Sequence, residues 1–316
     1  PGRGNGGPRG SGAMNGAEGC SSPADQRRLT WAAGLTAGIL IVEAAGGILS
    51  HSLALLSDAG HMMVDLLALL LSLFAIRFAC RPATDRKTFG YHRIEILAAL
   101  LNGSLLVVLS LYLFYEAVRR LIRPQIVDTR LMLGVAGVGL VANLIGIALL
   151  SPSRRNLTVR SALLHILGDA FSSVGVILGG LTMQATGWYR TDPLLSLLIG
   201  GVILWGAFRL MREACDILLE AAPAGIALPE VSRAIASVRE VVGIHDLHIW
   251  SITIGRPALS GHVVVQDASL ENTDRILNRI KSVLEERFGI CHTTIQLESE
   301  AYEEVGEIHG AGEEPG

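Results

Sequence analysis

Charge is scarce in this chain: Asp, Glu, Lys and Arg make up 17% of its 316 residues, against about a quarter in soluble domains. Aromatic residues are few as well, at 5%. The four cysteines, Cys20, Cys80, Cys215 and Cys291, form no C-x-x-C pair and no spaced framework. A zinc ribbon and a disulfide scaffold are thereby excluded, and the four read as isolated reduced thiols. The formal net charge of -3 offers nothing to a nucleic-acid backbone, so no nucleic-acid partner is expected. No basic n-region followed by a short apolar run and a cleavage site is visible in these residues. What fills the chain is apolar: half the residues are hydrophobic and the mean hydropathy is +0.45, which points to a membrane protein.

Residues 1–26, rich in Gly, Ser, Pro and Ala without apolar periodicity, are expected to be disordered. From Leu29 onward apolar segments come in quick succession, and a span needs roughly 20 residues to cross a ~30 Å hydrocarbon core. Six are expected, near 29–49, 54–77, 95–117, 131–150, 160–185 and 193–211, within a membrane domain over 27–219. With the N-terminus inside, twelve Lys and Arg near span ends fall on the cytosolic side against five on the other. That bias places both termini in the cytosol, although Arg119, Arg120 and Arg123 make the third connection basic.

Two copies of His-x-x-x-Asp, His61/Asp65 and His165/Asp169, lie inside the second and fifth segments at identical separation. A spacing of four stacks each His and its Asp on one helix face. Two such helices facing each other would offer two imidazoles and two carboxylates to one point, a set that suits tetrahedral zinc. Ionisable groups at membrane depth are costly, and their default reading is a pathway or binding residue.

After Glu220 the pattern becomes that of a soluble domain, and Pro223, Gly225 and Pro229 mark a linker. An amphipathic helix over 229–241, strands over 244–254 and 259–266, a second helix over 270–288 and a last strand over 291–298 are expected. This αββαβ order makes a small α+β domain over 220–300, thin enough in core to be helped by dimerisation. The acidic stretch 301–316 reads as a flexible tail.

Four motifs now stand in order along the chain: Ser52-Leu53-Ala54-Leu55-Leu56-Ser57-Asp58-Ala59-Gly60-His61 running into Asp65, then Phe89-Gly90-Tyr91-His92-Arg93-Ile94-Glu95, then His165-x-x-x-Asp169, then His245-Asp246-Leu247-His248-Ile249-Trp250. Together they resemble the cation diffusion facilitator family, on its zinc-transporter branch, over residues 27–299. The resemblance implies a homodimer of six-helix protomers, each with a cytosolic metallochaperone-like domain, that exports divalent metal in exchange for protons. It also carries the family's central metal site onto His61, Asp65, His165 and Asp169.

Chemistry agrees with that assignment. Two carboxylates and two neutral imidazoles leave a loaded divalent site near zero net charge, limiting the cost of holding an ion at membrane depth. Mixed nitrogen and oxygen ligation disfavours Mg²⁺ and Ca²⁺, so Zn²⁺ is the first choice, with cobalt or cadmium the alternative. Imidazole binds metal only when neutral and carboxylate only when ionised, so protons and metal compete for the same atoms.

Other residues are candidates of lesser weight. Asp58 shares a helix face with His61 and Asp65, but it also sits near a helix start where Asp is a common cap. Glu43, a lone carboxylate in the first span, matches a Glu of zinc-branch members and reads as a relay. Asn143 reads as an interhelical hydrogen-bonding residue, and the Gly34/Gly38 and Gly175/Gly179 pairs as packing surfaces. By resemblance His245, His262 and Glu298 are ligands of a metal site in the cytosolic domain, with Cys291 and His292 as further donors. His248 would point to the opposite face from His245, with a buried hydrogen-bonded imidazole as its alternative. Arg93 and Glu220 resemble a charge pair linking the membrane and cytosolic domains.

The chain also departs from its relatives. Gln296 stands where some carry His, and the segment from Asp85 to Arg93 keeps only Asp85 and His92 of an additional metal site. The connection Ser151 to Arg160 lacks a His-rich insertion. That shortness points to a prokaryotic member in a bacterial inner membrane. A membrane metalloenzyme would need three ligands, an open position and a general base, yet no His-Glu-x-x-His appears. A metal sensor would need an output domain, and the C-terminal region carries no catalytic motif.

Overall fold

A computed structural model describes residues 23–79, 84–151, 157–266 and 270–299. Six long helices come first: α1 (Pro23–Ser50), α2 (Leu53–Ala79), α3 (Arg93–Ile122), α4 (Thr129–Leu150), α5 (Leu157–Thr186) and α6 (Thr191–Leu218). Then follow α7 (Leu228–Ala236), β1 (Val241–Thr253), β2 (Arg256–Val265), α8 (Leu270–Phe288) and β3 (His292–Ser299). Among the described residues, α2 to α6 each contain a stretch long and apolar enough to cross a membrane, and α1 contributes the shorter apolar run Gly34–Ser50. Six helices thus stand where six spans are expected. The expected loose segment 1–26 overlaps the start of α1 at Pro23; residues 1–22 and the acidic tail lie outside the described residues.

The chain divides into two compact units, Pro1–Ala59 with Arg120–Leu195, and Gly60–Arg119 with Ser196–Gly316. In the first unit α4 packs against both α1 and α5. Its buried positions, Met132, Val135, Ala136, Gly139, Ala142, Asn143, Gly146 and Leu150, recur at helical spacing. Gly46 of α1 lies so close under Val135 that a Cβ there would collide with the valine side chain. Asp128 caps α4 by accepting from the amides of Arg130 and Leu131.

The start of α2 is capped from elsewhere in the sequence. Asp192, fully buried at the start of α6, accepts from Ser52 Oγ at 2.6 Å, Leu53 N at 2.7 Å and Ala54 N at 3.2 Å. These are the amides that a helix N-terminus leaves without intrahelical partners. Arg120 stands beside this carboxylate at 3.9 Å and donates to the carbonyl of His51 at 2.6 Å. His51 itself adopts a left-handed conformation, φ 59°, which turns the chain from α1 into α2.

In the second unit Val64 of α2, Leu106 of α3 and Ile203 and Ala207 of α6 form one buried cluster. The C-terminal domain has a three-stranded sheet of order β1-β2-β3, with β1 and β2 antiparallel and β2 and β3 parallel through α8. Val231 and Ile235 of α7 and Ile276, Ile280 and Leu284 of α8 pack on Ile249, Leu259, Val263 and Val265 of the sheet. The αββαβ order is the expected one. The first helix is shorter than its expected 229–241: it ends at Ala236, and the β-branched Val241 and Val242 open β1 instead.

Candidate metal centres

On α5, the spacing of four sets His165 Nε2 3.7 Å from Asp169 Oδ2. Asp169 is buried at 4% exposure whereas His165 is exposed. The same unit gathers more carboxylate around Asp169. Glu43 of α1 and Asp58 of α2 are both buried and lie close enough to Asp169 and to each other for their charges to interact. Ser172 stands beside Asp58, and Glu43 and Ser173 crowd the space over Gly139 of α4 that a Cβ would need. His165, Asp169, Ser172 and Ser173 therefore mark one continuous face of α5. Sequence reading passes over the two serines, since a hydroxyl in a span carries no distinguishing signal.

In the other unit the second pair has the same form. His61 Nε2 lies 3.4 Å from Asp65 Oδ2, and both side chains are about a quarter exposed. One unbroken helix, α2, carries Asp58, His61 and Asp65.

The C-terminal domain holds a third group. His245 of β1 pairs directly with His262 of β2, and β3 brings Glu298 beside them. His245 Nε2 lies 2.9 Å from Glu298 Oε2, and His262 Nδ1 lies 3.0 Å from Glu298 Oε1. The donor atoms of the three residues all lie within 4.8 Å of one another. Glu298 is buried at 4% side-chain exposure, and Gln296 donates to its Oε1 at 2.8 Å. Two imidazoles and a carboxylate converging in this way fit a zinc ion, the chemistry being nitrogen and oxygen donors that need only small shifts to share one centre.

Asp246 lies at the edge of this group, and sequence analysis did not single it out. It sits in a register shift of β1 between His245 and His248, with φ 49°, and reaches to 3.9 Å of His262 Nε2 and 2.8 Å of His248 Nε2. A bulge re-aims side chains in a way that strict alternation does not foresee. His248 is hydrogen-bonded, as its alternative reading held, but half exposed rather than buried. Cys291 is exposed and its thiol is 3.8 Å from the carbonyl of Gly289, while the His292 ring meets Phe89 edge-on.

The remaining candidates are found as follows. Arg93 donates to Glu220 at 2.8 Å, and Thr253 of β1 donates to Glu95 of α3 at 3.3 Å. His92 lies 3.2 Å from the guanidinium of Arg256, which is no setting for a metal ligand. Asn143 is buried. Of the glycine pairs, Gly179 packs on Leu195 and Thr191, whereas Gly34, Gly38 and Gly175 face open space. The expected packing surfaces are therefore not all used within one chain.

A family model described as the cation efflux transmembrane domain matches residues 29–219. The chain belongs to the cation efflux family. A second model, the cytoplasmic domain of cation efflux proteins, matches residues 223–300. The chain is 42% identical over 269 residues to the "cadmium, cobalt and zinc/H(+)-K(+) antiporter" of Bacillus subtilis, covering 84% of this chain and 86% of that protein. It is 41% identical over 275 residues to the zinc transporter ZitB of Escherichia coli, covering 86% and 87%. A third relative, the "metal cation efflux system protein CzcD" of Cupriavidus metallidurans, is 40% identical over 275 residues, covering 87% of each. This cation efflux protein is an integral membrane protein built on the zinc-branch pattern and is not an enzyme.

Proposed function

We propose that this cation efflux protein exports Zn²⁺ in exchange for protons, by alternating access, with cobalt and cadmium within its range. His61 and Asp65 of α2 and His165 and Asp169 of α5 hold the ion. The observation that carries this reading is the buried gathering of Glu43, Asp58 and Asp169. Residues three and seven positions beyond Asp58 share its helix face, and these are His61 and Asp65. The face that brings Asp58 to the α5 pair therefore carries the second pair as well. Asp58 and Glu43 then lie behind the four ligands as a relay for the ion or for protons.

Ligand chemistry gives the coupling. Protonating an imidazole removes the lone pair that binds zinc and adds positive charge beside it. Metal loads from the cytosol, the helices rock outward, and protons displace it before returning. The names of the Bacillus subtilis and Escherichia coli relatives support proton exchange and zinc transport respectively.

Around this core, the membrane domain spans 27–219 and the domain over 220–300 lies in the cytosol, with both termini on that side of a bacterial cytoplasmic membrane. The C-terminal domain pairs two protomers into a homodimer. His245, His262 and Glu298 bind zinc there as a regulatory ligand, and Arg93 with Glu220 links the two domains. The test is metal movement in proteoliposomes with zinc, cadmium, cobalt and manganese in competition. Zinc flux displaced by cadmium and cobalt supports the reading; flux no greater than in protein-free liposomes refutes it.

A further inference from the structure

One cavity of the second unit takes no part in the site above. It has a volume of about 800 Å³ and lies between the α2–α3 connection, the first turns of α3 and strand β1. Its wall is basic and aromatic. Arg86, Lys87 and Arg93 line it with Phe89, Tyr91 and Trp250, and the one carboxylate among the described lining residues, Glu220, is taken by Arg93. Arg256 adds a fourth guanidinium or ammonium charge next to the lining residue His92, and Asp246 a second carboxylate next to the lining residue His248. Asp85, in the same turn, is not among the lining residues. Positive charge thus outnumbers negative around a concave space, and Lys87 is held 4.6 Å over the ring of Tyr91 rather than by an acid.

The position of the cavity narrows the ligand. Arg93, Ile94 and Leu97 are the opening residues of a stretch apolar enough to cross a bilayer, so the cavity sits where lipid hydrocarbon gives way to headgroups. Phe89 and Leu97 are both about half exposed and would flank acyl chains, while Tyr91 has the amphipathic ring favoured at that depth. Basic pockets at the cytosolic ends of spans are suited to anionic headgroups. Resting on the membrane orientation proposed above, we infer that this cavity binds the phosphate-bearing headgroup of an anionic phospholipid of the cytosol-facing leaflet. A free phosphate shares the anionic chemistry but makes no use of Phe89 or Leu97.

The experiment uses the full chain in nanodiscs of phosphatidylcholine mixed with an equal part of phosphatidylglycerol, with retained lipid counted by native mass spectrometry after gentle release. The parent should retain phosphatidylglycerol over phosphatidylcholine. Arg86→Ala and Lys87→Ala should each lower that preference about fivefold, one surface charge being worth about 1 kcal/mol. Elution volume and helical circular dichroism establish that the variants fold. Arg209→Ala, which removes a charge at the same end of α6 but outside the cavity, should leave the preference unchanged. Three outcomes overturn the proposal: equal retention of both lipids by the parent, equal losses in Arg209→Ala and the cavity variants, or displacement of bound phosphatidylglycerol by inorganic phosphate.

Discussion

Replacing Asp192 by Ala tests how α2, which bears His61 and Asp65, is held at its start. The carboxylate accepts from one hydroxyl and two amides, all buried, and alanine leaves those donors without an acceptor. Each abandoned buried donor costs about 1–3 kcal/mol, so the loss should be about 4 kcal/mol after partial relaxation, with Arg120 still bonded to the His51 carbonyl. At about 2–4 °C per kcal/mol for a chain of this size, the midpoint of thermal unfolding in detergent should fall by roughly 10 °C. Asp192→Asn keeps a carbonyl acceptor but not the charge and should fall about half as far. Ser52→Ala keeps Asp192 on the Leu53 and Ala54 amides but takes the acceptor from Leu55 N, so it should lose about 1–2 kcal/mol. A cap in this position also fixes the rotation of α2, so zinc flux should drop in the order Ala, Asn, parent. If all three variants unfold within about 2 °C of the parent, the carboxylate is not the cap that the geometry indicates.

Further outcomes are expected from the metal centres. In the proposed four-ligand site Asp65→Ala or Asp169→Ala would remove one of two neutralising charges, so zinc flux should collapse while the protein still assembles; normal flux in either would sink that site. His61→Asp replaces a nitrogen donor with a hard charged one, and competition uptake should shift toward cadmium or manganese, an unchanged order meaning that this residue does not set selectivity. Glu298→Ala takes away the carboxylate that both His245 and His262 face, so the C-terminal site should lose zinc affinity by on the order of a hundredfold, read by calorimetry with the membrane ligands removed. Equal affinity there would place regulatory zinc elsewhere.

Much of this was legible in the sequence because its signals are periodic. The α8 boundaries follow from the apolar face of Ile276, Ile280 and Leu284, and the helices carrying the His/Asp pairs from long apolar runs with few other charges. The strands of the C-terminal domain follow from alternation, and the Arg93–Glu220 pair from resemblance. What escaped depends on contacts distant in sequence. Asp192 looks like the cap of its own helix, yet it closes the start of α2, 139 residues from its Leu53 partner. Asp246 reads as an ordinary strand residue until the bulge turns it toward His262. The shortened α7 shows competition between β-branched residues and an amphipathic pattern that either state could use.

The central claim is that four side chains of α2 and α5 hold the exported ion and release it to protons. The direct measurement is zinc binding by the full chain with His245, His262 and Glu298 all replaced, titrated across the imidazole pH range and paired with X-ray absorption of the bound ion. The account predicts one zinc per protomer in a shell of two imidazole nitrogens and two carboxylate oxygens, lost in Asp169→Ala, with affinity that falls as pH drops. Binding that ignores pH, or that survives in Asp169→Ala with the same shell, would contradict it.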